Sequence, residues 1–156
     1  MKRLSKHITE ALKIGSKSKV NNYYHPKDKD ELMKLLDKLI NERGYEGNFN
    51  DIDTSEITDM SMLFTFSRTK FNGDISEWDT SNVTDMRFMF CDTKFAGDIS
   101  NWDVSNVENM YNMFYGCNNF NCNLNKWDTH KVKDMRGMFN NTPLEKNPPK
   151  WYINNE

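Results

Sequence analysis

Four aspartates recur at one place in a repeating stretch of this 156-residue chain: Asp53, Asp79, Asp103 and Asp128. Tryptophan precedes three of them, at Trp78, Trp102 and Trp127. Stacked carboxylates could ligate a cation, and a row of indoles could stack sugars. Neighbouring carboxylates ~5 Å apart would repel by roughly 3 kcal/mol at an effective dielectric near 20, so something must offset them. Calcium-binding β-rolls use two glycines and an aspartate per nine-residue turn, a pattern this chain lacks. The reading that remains is a turn in which each carboxylate accepts backbone N–H bonds. Asp74 and Asp98, which follow glycines, read the same way. The Trp position holds Ile52 in the first copy, so it wants apolar bulk in a core rather than an exposed flat ring.

The other chemistry-bearing residues do not assemble. His7, His25 and His130 share no repeat position, and Cys117 and Cys122 are five apart without partner ligands. With Cys91 they make three cysteines, which read as plain thiols rather than a disulfide framework. There is no Ser/His/Asp or Cys/His set and no Gly-rich phosphate loop. No catalytic residue, metal site or cofactor is expected, and the chain reads as a non-enzyme.

What positions these residues is an internal repeat. Units begin at Tyr45, Phe71, Phe95 and Phe120, spaced 26, 24 and 25 residues apart. "FNGDISEWDTSNVTDMRFMF" from Phe71 returns as "FAGDISNWDVSNVENMYNMF" from Phe95, and the first unit reads "YEGNFNDIDTSEITDMSMLF". A fifth copy starts at Leu144, reaches Trp151 and is interrupted by Pro148 and Pro149. Seven columns stay apolar, among them Met60, Met86, Met110, Met135 and Phe64, Phe90, Phe114, Phe139. Each such side chain contributes roughly 1.5–3 kcal/mol when buried, yet one unit alone has nothing to bury it against. Neighbouring units supply that surface.

Within a unit, the alternation around Ile75–Thr80 predicts a short strand. Val83, Met86, Met89 and Phe90 have the spacing of one helical face and predict a short helix, capped by Ser81 or Asn82. Gly47, Gly73 and Gly97 precede the strand and are expected to take positive φ. The expected fold is an α/β repeat solenoid, leucine-rich-repeat-like, with a short strand and a short helix per coil and an N-terminal helical cap.

"GDISEWDTSNVTDMRFMF" and its copies resemble the BspA-like leucine-rich-repeat family of bacterial surface proteins, over roughly residues 45–144. The helix before them, "HPKDKDELMKLLDKLINERG", resembles that family's capping segment. The resemblance implies a right-handed repeat array used for protein or host-surface binding, without catalysis. Unit four departs from it with Cys122 for Gly, Asn123 for Asp and His130 for Ser.

Four regions follow: a basic helix and linker over 1–27, a capping helix over 28–44, the repeats over 45–144 and a partial repeat or cap over 145–156. The helix begins at Asp28 or Asp30, puts Leu32, Leu35, Leu36, Leu39 and Ile40 on one face and stops at Gly44. Residues 1–44 carry eleven Lys/Arg against six Asp/Glu, and residues 45–156 carry ten against seventeen. An acidic body disfavours nucleic acid, leaving at most a weak phosphate contact near the N-terminus. The start carries no uninterrupted apolar block of a signal peptide, and nothing is apolar enough for a transmembrane segment; three cysteines, an odd and low count, make a reducing compartment the default. A segment built from Lys2, Arg3, Leu4, Lys6, Ile8 and Leu12 reads either as a docking tag or as a solvated helix folded back on the cap.

Against the unchanging core, a few columns vary: Ser61, Arg87, Tyr111, Arg136; Met62, Phe88, Asn112, Gly137; Thr65, Cys91, Tyr115, Asn140. Aromatics interleaved with arginine have the composition of an interface hot spot. Arg87, Phe88, Tyr111, Tyr115 and Arg136 are therefore the expected partner-binding residues of a monomeric protein-binding scaffold. An intracellular or phage-encoded accessory protein that docks through residues 1–20 is the alternative, and a glycan-binding adhesin a third.

Overall fold

The computed structural model describes residues 23–152. The one α-helix among them, α1, spans Lys29–Arg43. Asp28 caps it by accepting from the Glu31 N–H at 2.9 Å, and Glu31 reaches back to the Lys27 N–H at 3.0 Å. Gly44, at φ 78°, ends it by donating to the Ile40 carbonyl at 2.8 Å. Leu32, Leu36, Leu39 and Ile40 are buried and join the core of the repeats, while Leu35 is half-buried against it.

The expectation of an α/β repeat solenoid fails. The repeats contain no sheet and no helix of their own beyond one 3₁₀ turn at Phe66–Arg68; their only strand-like features are isolated parallel bridges. Four of these join equivalent residues of successive units: Asn48 to Asp74, Asp59 to Asp85, Asp85 to Asn109, and Asn109 to Asp134. The stretch expected to be a helix is instead a pair of tight turns. In unit two the Met89 N–H donates to the Met86 carbonyl, and the Thr93 N–H to the Phe90 carbonyl. The third residue of the first turn has positive φ throughout: Met62, Phe88, Asn112 and Gly137. Four residues on, Phe66, Asp92, Gly116 and Asn141 do the same. Two left-handed residues per unit forbid a right-handed helix, and successive three-residue turns reproduce its i, i+3 spacing.

The backbone donors released from helical bonding pair with the next unit. N–H groups of Met86, Phe88, Phe90 and Asp92 donate to carbonyls of Asn109, Tyr111, Met113 and Tyr115 at 2.7–2.9 Å. Unit three repeats the arrangement on unit four, and unit one makes the first three bonds to unit two. The expected strand is likewise a turn, with Trp78 N–H donating to the Ile75 carbonyl and Ser76 N–H to the Asp74 carboxylate.

Aromatic columns fill the interior. Phe90 of unit two stacks on Phe95 of unit three at 4.1 Å between centroids, and on Phe64 and Phe114 at 5.2 and 5.5 Å. Each Trp indole reaches back one unit: Trp78, Trp102, Trp127 and Trp151 donate Nε1–H to the carbonyls of Phe49, Ile75, Ile99 and Leu124. Trp78, Trp102 and Trp127 are at most 5% exposed, which leaves no face for a sugar. Gly47, Gly73 and Gly97 do not have positive φ, contrary to expectation. Gly73 is required by close approach instead, since a Cβ there would lie 2.5 Å from the Phe49 ring.

Candidate partner-binding surface

The aspartate column does what the turn reading expects. Asp53, Asp79, Asp103 and Asp128 each accept from the N–H two residues on, at 3.0–3.2 Å. Asp74 and Asp98 bond Ser76 and Ser100 in the same way, with Asn48 and Asn123 in their place in the outer units. A third such column, Asp59, Asp85, Asn109 and Asp134, escaped the sequence reading although it directly precedes the methionines. Bonds from Ser55 and Ser105 hold the Asp53 and Asp103 carboxyls below their ordinary range, and the His130 side chain does so for Asp128. Among the described residues no group of three or more His, Cys, Asp or Glu is placed to hold a metal ion.

The thiols are not poised for nucleophilic work. Burial, reinforced by Asp92, pushes Cys91 up to about 12. Burial also raises Cys117, whose Sγ lies 2.8 Å from the Phe90 carbonyl, and Cys122.

The expected binding residues lie along the turns with positive φ, so the face they occupy is a row of turn corners rather than a helical side. Phe88 and Tyr111, both half-buried, meet edge to face at 5.1 Å and 86°. The Arg136 guanidinium lies 5.5 Å from the Tyr111 ring centre and forks onto Asp134 at 3.0 and 2.8 Å. Those hydrogen bonds lower the Asp134 carboxyl and raise Arg136. In unit two, Arg87 stands 3.3 Å from Asp85 of the same turn. The structure thus joins Phe88, Tyr111 and Arg136 in one row. Tyr115 is half-buried and makes no ring contact with them. Lys2, Arg3, Leu4, Lys6, Ile8 and Leu12 lie outside the described residues.

The row continues into a groove that sequence reasoning missed. Met62, Thr65, Phe66, Thr69, Phe88, Cys91 and Asp92 line a depression of about 400 Å³ between units one and two. Phe66 is 82% exposed and Met62 39%. A signal for it was present: the other residues in the Phe66 column are Asp92, Gly116 and Asn141, the types that tolerate a left-handed backbone. A phenylalanine held there at φ 57° and left in water is a local strain with no packing return.

Among the described residues no helix is long and apolar enough to cross a membrane. The family model described as "Mycoplasma protein of unknown function, DUF285" matches residues 34–151. No curated protein and no solved structure matches the chain.

Proposed function

We propose, for a chain that belongs to the DUF285 family, a non-enzymatic protein-binding scaffold of the BspA-like kind, whose turn corners engage a protein or host-surface partner. The same family occurs in BspA-like proteins, which supports the reading. The observation that carries it is the apolar strip from Phe66 and Met62 through Phe88 to Tyr111, ending at Arg136. Exposed aromatics grouped with an arginine are the side chains on which binding energy concentrates. The groove offers an anchor pocket, and the ion-paired rungs beside it form a polar rim.

Affinity capture with mass-spectrometric readout tests this, comparing the intact protein with a Phe66→Ala, Phe88→Ala, Tyr111→Ala variant. The expected result is a partner lost with the triple variant and kept by a Lys70→Ala control at the exposed Lys70. A partner retained by the triple variant, or turnover of a substrate by purified protein, overturns the reading.

A further inference from the structure

The repeats have two different ends, and the second is chemically unfinished. Unit three donates the N–H groups of Met110, Asn112, Phe114 and Gly116 to unit four. The equivalent donors of unit four are Met135, Gly137, Phe139 and Asn141. Asn141 is satisfied by the Glu145 carboxylate at 3.2 Å. The N–H groups of Met135, Gly137 and Phe139 have no acceptor among the described residues. Beside them Val132 and Met135 are half-buried, whereas Val107 and Met110, their counterparts one unit earlier, are fully buried.

The edge also differs in charge. Residues 126–150 carry six Lys/Arg and three Asp/Glu, while residues 45–125 carry four and thirteen. Lys126, Lys146 and Lys150 are exposed in this last unit and the segment that follows it.

We propose that this edge of unit four is a second binding site, which takes an acidic peptide from another protein, turned as the repeat units are, by backbone pairing. Three N–H groups on alternate residues call for carbonyls on alternate residues, which a segment curved like the turns of the units themselves presents. The interfaces between units show the fit, because the arc Asp134–Met138 covers the same three donors of unit three. A second copy of this chain fits poorly. Two such edges face to face would oppose donor to donor, and the carbonyl edge of unit one lies under α1. There Arg68 bonds the Leu63 and Met33 carbonyls, and Lys29 bonds Ser61.

Amide hydrogen exchange on the full chain reads the site directly, with a synthetic peptide of residues 56–64 (EITDMSMLF) as the probe. In the free protein the amides of Met135, Gly137 and Phe139 exchange at least about tenfold faster than those of Met110, Asn112 and Phe114. Saturating peptide slows those three about tenfold, and Phe88→Ala, Tyr111→Ala leaves that effect unchanged. A peptide with Glu56→Lys and Asp59→Lys, or a protein with Lys126→Glu, Lys146→Glu and Lys150→Glu, binds more weakly. Protection already present in the free protein overturns the proposal. If it is independent of concentration, the chain's own end covers the edge; if it vanishes on dilution, a second copy does. Amides that stay fast at about 1 mM peptide overturn it as well.

Discussion

The two ends of the stack solve one problem differently. At the first, α1 lays four leucine and isoleucine side chains over unit one and ties itself down through Lys29, Arg43 and Arg68. At the last, Trp151 and Tyr152 pack against Trp127 and Phe139, but the arc through Met135 stays half-covered. Identical columns therefore have different surroundings, and a residue's contribution depends on its neighbours more than on its type.

The largest expected effect tests that difference at one column. Met60→Ala, fully buried beneath α1, should cost about 3 kcal/mol, whereas Met135→Ala should cost about 1 kcal/mol, both read from chemical denaturation. Equal losses would mean that the last unit is as well covered as the first. Acid should act next, through the carboxylates that bond the N–H two residues on. The pKa values of Asp53, Asp98, Asp103 and Asp134 are lowered in the folded chain by bonds from Ser55, Ser100, Ser105 and Arg136. Their contribution is then complete above the unfolded value near 4 and is lost as pH falls through the lower folded values. Tm should decline below about pH 4. Asp98→Asn should blunt that decline with little change at pH 7, because Asn48 and Asn123 serve the same turn in the outer units.

Removing the α1 cap with Asp28→Ala should cost about 1 kcal/mol and loosen only the first end, seen as faster amide exchange in α1 with unit four unchanged. The smallest effect has the opposite sign. Phe66→Asn should stabilise the fold by up to about 1 kcal/mol, since asparagine accepts the left-handed backbone more readily and no packing is lost. Partner capture should weaken in that same variant.

Much of this arrangement was legible in the chain. The invariant Phe column and three of the four Met positions are in the core, and the Asp28 and Gly44 punctuation marks the ends of α1. Aspartates beside serines announced two of the three turn columns. The expected strand and helix do not form: periodicity reports which residues face inward, not how the backbone turns between them. Val83, Met86, Met89 and Phe90 face inward through consecutive turns as they would through a helix. The composition of two columns, Met62/Phe88/Asn112/Gly137 and Phe66/Asp92/Gly116/Asn141, held the correction. Glycine and asparagine at matching places mean left-handed backbone, a sign obscured by the Met and Phe that share them.

The bonds that join the units run along the direction in which the units are stacked, and the chain passes through the units in order. A pull along that direction loads one interface at a time instead of shearing all of them together. Stretched from both ends, the protein should yield in steps, each freeing one unit. A unit of 24–26 residues, drawn out, adds roughly 80–90 Å of length. Under load the stack should therefore lengthen by a set increment, starting where its cover is thinnest.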